Sequence, residues 1–158
     1  MRNPRTDLRH PRKRRKVARV QVARVQYAAL PYRHTAGSRT EVMLITSRET
    51  GRWLIPKGWP QKGRSPRRSA AREAREEAGV IGKIERGPIG SYAYKKLLNG
   101  GNAVLCEVRV FPLEVKRQWK TWPEKPQREV RWFSRTQAAK IVSEPALRAI
   151  IRNFGKRR

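Results

Sequence analysis

Apolar and polar residues alternate with a period of two in several short runs of this chain, and in one stretch the period lengthens to that of a helix. In "VARVQVARVQYAALPYR", Val20 and Val22, then Val25 and Tyr27, form alternating runs that slip once. That pattern predicts a strand over about residues 22–32. "HTAGSRT" is turn chemistry, and "EVMLITS" reads as a second strand, the hairpin partner of the first. "WLIP" is a short strand stopped by Pro56. "IGSYAYKKL" and "AVLCEVRVFPLEV" are strands around an "NGGN" turn, and "REVRWFS" is a last short strand.

The helical stretch lies in "RSPRRSAAREAREEAGV". Ser65 is a good N-cap, and Pro66 suits the first helical position, where its missing N–H costs nothing. Gly79 stands where a left-handed C-cap is expected, so the helix spans about Pro66 to Ala78. Ser134 caps a second helix, "RTQAAKIV"; Ser143 with Pro145 starts a third, "EPALRAIIRNF". A mixed sheet with a central helix and C-terminal helices is an α/β or α+β sandwich.

Composition sharpens this picture. With 158 residues the chain has room for one domain with one core. Thirty-nine Lys plus Arg against twelve Asp plus Glu give a net charge of +27, which calls for polyanionic partners. The five basic residues from Arg12 to Lys16 close a proline-containing arm, residues 1–16, expected to be disordered and able to hold nucleic acid non-specifically. The domain then occupies residues 17–154, with 155–158 a basic tail. Cys106 is the only cysteine, which suits a reducing compartment; a cytoplasmic location is expected. No run approaches the roughly 20 apolar residues of a membrane span. Oligomeric state is left open.

Three of the twelve acids fall within residues 73–77. Glu73, Glu76 and Glu77 are related as i, i+3 and i+4, so they are expected on one helical face. Neighbouring Arg68, Arg72 and Arg75 offer a purely structural alternative, a solvated ion-paired helix. A carboxylate face fed by a glycine loop, with Gly58 before it, is also a hard-oxygen site of the kind that holds Mg²⁺ or Mn²⁺ beside substrate phosphates.

Gly58, Arg72, Glu73, Ala74, Glu76, Glu77, Gly79 and Val80 fall in register with the Nudix box, and on them the chain resembles the Nudix hydrolase family. "EVMLITSRETGRWLIPKGWPQKG" and "REVRWFS" are similar to the branch acting on diphosphoinositol polyphosphates and diadenosine polyphosphates. The resemblance covers roughly residues 20–153 and implies an α/β/α sandwich with a mixed curved sheet. It implies hydrolysis of a phosphoanhydride with Mg²⁺, or Mn²⁺, as cofactor. Glu76, Glu77 and the Gly58 carbonyl would be metal ligands. Glu73 would be a third ligand or would orient the water, and Arg72 would fix a glutamate rotamer. A fourth acid, Glu107 or Glu129, would join. Arg24, Arg48, Arg52 and Lys57, with Ser47, would bind substrate phosphates.

One position departs from the box. Arg64 stands where the family has a glutamate, which reverses the charge there. Two readings follow: an outward or phosphate-facing arginine on a working site, or a weakened or inactive enzyme. Two alternatives to the small-molecule hydrolase are an RNA 5′-pyrophosphohydrolase, motivated by the arm, and a nucleic-acid-binding module that has lost activity. Among the tryptophans, Trp53 and Trp132 read as core, and Trp59 and Trp122 as candidates for stacking on a base. His10 and His34 lack metal-ligand spacing, and Cys106 reads as a small core residue.

Overall fold

The computed structural model describes residues 24–156. The expected arm, residues 1–16, and the end of the basic tail lie outside the described residues. The first strand, β1 (Arg24–His34), organises the sheet. It is antiparallel to β2 (Thr40–Thr46) only from Tyr32↔Val42 to His34↔Thr40, the stem of the expected hairpin. Beyond Tyr32 the two strands diverge. The gap is filled by the expected "WLIP" strand in altered form: β3 (Trp53–Leu54) pairs with β2, and β4 (Lys57–Gly58) pairs with Tyr27 and Ala28 of β1.

On its other side β1 runs parallel to a long later strand. Strand β5 (Val80–Ile84) was not expected from the sequence, because "VIGKI" is short and carries a glycine and a lysine. Strand β6 (Gly90–Leu97) leads through the "NGGN" turn into β7 (Ala103–Gln118). That strand pairs with β6 along its first half and β5 along its second, and with β1 from Arg24↔Cys106 to Tyr32↔Glu114. Strand β8 (Val130–Ser134) closes the far side against β2.

Alternation along β1 sends its residues to two cores. Ala28 and Leu30 join Val42, Leu44, Val108 and Val110 under the C-terminal helices, α2 (Arg135–Ile141) and α3 (Pro145–Asn153). Ala29 joins Met43, Ile45, Phe111 and Leu113 under α1 (Pro66–Ala78). A sheet covered on both faces by helices is the expected α/β/α sandwich. Cys106 is fully buried.

The caps follow sequence closely but not throughout. Ser134 Oγ accepts from Gln137 N–H at 3.2 Å, the expected cap of α2. Ser65 holds the N-cap position of α1 in extended conformation, yet its side chain makes no capping bond. Helix α3 starts one residue later than expected, with Glu144 rather than Ser143 at its N-cap, because α2 already ends at Val142 and Ser143 serves the link between them. Gly79 ends α1 at φ +69°, and a Cβ there would sit 2.3 Å from the Trp122 ring. Glycine is therefore required twice over, by conformation and by contact.

Candidate active site

Helix α1 presents almost nothing but small residues to the sheet. Ala70, Ala74 and Ala78 recur at i, i+4 and i+8 and are all fully buried. Such a face lets the helix lie close to the sheet. The side chain one residue before Ala78 and the one before Ala74 are then drawn to the same edge of that contact. These are Glu77, 5% exposed, and Glu73, half-buried.

The box is thus divided. At about 100° per residue, Glu73 and Glu77 lie only about 40° apart around the helix, whereas Glu76 lies about 100° from Glu77. Glu73 and Glu77 line a cavity of about 540 Å³ between α1, β4 and the segment before β8. Glu76 instead turns to the outer flank, where Arg72 Nε donates to its Oε1 at 2.6 Å. Arg72 also donates to Gln61 at 2.8 Å, and Gln61 Nε2 donates to Glu73 at 3.4 Å. A single shared face for all three carboxylates is not what the helix provides.

Gly58 forms the opposite wall. A Cβ added there would lie 2.3 Å from the Glu73 carboxyl carbon. The backbone of β4 approaches the carboxylate as closely as atoms permit, and any side chain would displace it. Lys57, beside it, lines the same cavity. Burial pushes the Lys57 ammonium below its ordinary range, partly opposed by Glu77 and reinforced by Lys96. Its Nζ lies 5.0 Å from the Tyr94 ring, and Lys96 Nζ lies 5.0 Å from the Trp59 ring. At the base, Gln26 is buried and accepts from the Tyr94 hydroxyl at 2.6 Å.

The remaining wall comes from residues that the sequence did not single out. Arg128, its side chain 8% exposed, approaches Glu77 at 3.5 Å and Glu124 at 3.2 Å. Its Nη1 donates to the Thr46 carbonyl at 2.9 Å. Glu124 also meets Arg48 at 3.3 Å. Glu124 is the one acid in the basic loop "KRQWKTWPEKPQ", and that lone acid is the signal that could have found it. The only local hint of Arg128 is its i,i+4 relation to Glu124; its other partners lie on α1 and β2.

This wall sets the electrostatics. Burial is the largest influence on Glu77 and pushes its carboxyl up to about 8; Arg128 pulls down, while Glu73 and Glu124 push up. Glu73 is also raised, first by burial, with a hydrogen bond from the Glu77 carboxyl working the other way. Two carboxyl groups therefore share proton density in a partly dry cavity. Among the described residues no three acidic, His or Cys side chains close tightly enough to enclose an ion. An open pair of carboxylates against the close backbone of Gly58 suits Mg²⁺, which keeps its waters and takes one or two carboxylates plus substrate phosphates. The residues present fit such an ion.

The other expected site residues are spread more widely. Arg48 and Lys57 line the cavity. Arg24 is exposed at the start of β1, two residues before Gln26 on the same strand face. Arg52 lies in the turn before β3, where its Nε donates to Thr50 at 3.3 Å, and it does not line the cavity. Ser47 bonds Thr50 in that turn at 2.6 Å. Glu107 meets Arg109 on β7, and Glu129, just before β8, meets Arg131; neither acid lines the cavity. Trp59 lines the cavity, whereas Trp122 packs on Gly79. Trp53 packs edge-on against Phe133 at 5.1 Å, and Trp132 packs against the core under α1.

The NUDIX domain model matches residues 27–154. Two similar relatives are Nudix hydrolase 21, chloroplastic, and Nudix hydrolase 13, mitochondrial, both from Arabidopsis thaliana. They are 32% and 29% identical over 132 and 126 residues, 82% and 74% of this chain. The chain spans 65% and 60% of those relatives' lengths. Among solved structures, a C. elegans Ap4A hydrolase superposes with a TM-score of 0.62 at 20% identity, over 84% of this chain and 96% of that one. That likeness concerns the fold. The domain match covers nearly all the described residues, the box included, and by it the chain belongs to the NUDIX domain family.

Proposed function

We propose that this chain is a Mg²⁺-dependent hydrolase, cleaving a phosphoanhydride bond in a diphosphoinositol polyphosphate or dinucleoside polyphosphate by attack of water at phosphorus. The observation that carries this reading is the Glu73–Glu77 pair, packed against the Gly58 backbone and facing Lys57 and Lys96 across one cavity. Acids on one wall and amines on the other suit a cation and a polyphosphate held together. When bound, a divalent cation neutralises phosphate charge and acidifies water. Glu73 and Glu77 would hold it with the Gly58 carbonyl. Glu76, tied to Arg72, would hold the Arg72–Gln61–Glu73 chain of hydrogen bonds in place.

Lys57, Lys96 and Arg48 would receive the phosphate oxygens, with Arg24 at the strand end reaching outlying phosphates. As water adds to phosphorus the bridging oxygen leaves with one fragment, and the proton released passes to a carboxylate of the cavity. The other acid facing this space, Glu124, is placed to receive it. Phosphoryl transfer demands little more than this positioning and charge neutralisation. The relatives' printed names place those proteins in chloroplasts and mitochondria. For this chain a reducing, cytoplasmic setting is the reading that the lone buried Cys106 supports.

A phosphate-release panel with Mg²⁺ or Mn²⁺ tests the assignment. It includes diadenosine polyphosphates, an inositol pyrophosphate, a nucleoside diphosphate sugar and 5′-triphosphate RNA. Glu77→Gln should lower turnover beyond the roughly 100-fold that loss of a ligand's supporting partner costs, with the melting transition retained. Undiminished turnover in that variant would refute the site. Preferential release from triphosphate RNA would favour the RNA-end reading, for which the net charge of +27 speaks. Absence of hydrolysis across the panel would favour the binding module.

A further inference from the structure

The outer flank of α1, behind the Arg72–Glu76 pair, borders a second open groove of about 760 Å³ that the catalytic reading leaves unused. Arg64, Arg68 and Arg75 line it. Among the described residues none of the three has a carboxylate partner, although Arg72 in their midst is paired. Arg68 and Arg75 are two turns apart, about 10 Å by helical rise, and Arg64 extends the row before the helix begins. Arginine at the box glutamate position thus completes a row of three guanidiniums without a carboxylate partner among the described residues.

The facing wall is aromatic. The end of β7 bonds back to the end of α1, with Trp119 N–H donating to the Gly79 carbonyl at 2.8 Å. This sets Trp119 in the groove, 37% exposed. Arg117 lies over its ring at 4.2 Å, so the indole is held upright against a cation. Trp122 seals the adjoining part of the groove against Gly79.

We infer that this groove binds single-stranded nucleic acid, its phosphates on Arg64, Arg68 and Arg75 and a base stacked on Trp119. A row of cations alone would take any polyanion. An exposed indole opposite the row adds a surface that only an unpaired base can use, which selects single strands over duplex and over polyphosphate. The inference does not depend on hydrolysis, and its test is run in EDTA so that failure of one reading leaves the other standing.

The experiment measures fluorescence anisotropy of a roughly 12-nucleotide single-stranded RNA against full-length protein over a salt series. A duplex of the same sequence and inorganic polyphosphate serve as competitors. Replacing Arg64, Arg68 and Arg75 together by Ala should reduce the log–log salt slope by about 2, at roughly 0.7 per phosphate contact. Trp119→Ala should weaken single-strand binding about tenfold at any one salt concentration and leave polyphosphate binding unchanged. Photo-crosslinks from a thio-substituted base should map to the peptide containing Trp119. Crosslinks confined to residues 1–16, an unchanged slope in the triple variant, or Trp119→Ala binding equal to wild type in properly melting protein would each overturn the proposal. So would equal competition by duplex or polyphosphate.

Discussion

Helix α1, with the residues leading into it, carries two opposed electrostatic worlds nearly half a turn apart. On the cavity side Glu73 and Glu77 are drawn out of water, Glu77 is compensated by Arg128, and both hold their protons abnormally tightly. On the outer side Arg64, Arg68 and Arg75 are exposed, and among the described residues none has a carboxylate partner. The same residue chemistry, clustered like charge, is expensive in one place and nearly free in the other. Dielectric environment, more than charge count, therefore identifies the side that needs a counter-ion.

The largest expected effect lies on the cavity side and is a pH dependence. Glu77 is held at about 8 in the fold, against 4.5 for an ordinary glutamate. The folded protein therefore binds more protons than the unfolded chain between those values. Its contribution to stability is complete below 4.5 and is lost as pH rises through 8. Thermal melts of metal-free protein should fall across that window, by at most about 1.4 kcal/mol per pH unit. Added Mg²⁺ should raise the melting temperature more at the alkaline end than at the acid end. A flat profile would break the comparison, and Glu77→Gln should reduce the slope to the part that Glu73 contributes.

Next in size is Arg128→Gln, which takes from Glu77 its salt-bridge partner and leaves Glu124 with Arg48 alone. Loss of one partner from a buried pair costs about 3 kcal/mol, to be read from urea unfolding midpoints. Gly58→Ala should follow, at about 1–3 kcal/mol, since the new methyl must displace the Glu73 carboxylate or the β4 backbone. Turnover should fall with it, a joint loss that a merely structural glycine would not give. Smallest is the outer flank. Arg68→Ala and Arg75→Ala should each change stability by less than about 0.5 kcal/mol. A larger loss would show that the flank carries structural ion pairs after all.

Much of this was written locally in the chain. Pro66 and Gly79 bracket α1 because proline fixes the first helical φ and glycine accepts the left-handed one. "NGGN" marks the β6–β7 turn for the same kind of reason. The split of the glutamates was also implicit, since i+3 and i+4 positions fan out to either side of Glu73, but only the packing of Ala70, Ala74 and Ala78 decides which side faces the cavity. Long-range pairing was not legible. Strand β5 has little apolar pattern of its own and exists because β7 offers it an edge. Arg128 acts on residues some fifty and eighty positions earlier, Glu77 and Thr46, and Glu124 reaches back to Arg48; sequence neighbours do not report those distant partners. The same holds for Trp119, whose place beside α1 follows from the β5–β7 register.

The parallel pairing of β1 with β7 has a consequence for how the molecule is made. Residues 24–32 find their partners at 106–114, about eighty positions downstream. During synthesis the first strand must wait, with only its pairings to β2 and β4 formed, until residues 106–114 have left the ribosome. Such distant closure slows folding and leaves an open strand edge while it lasts.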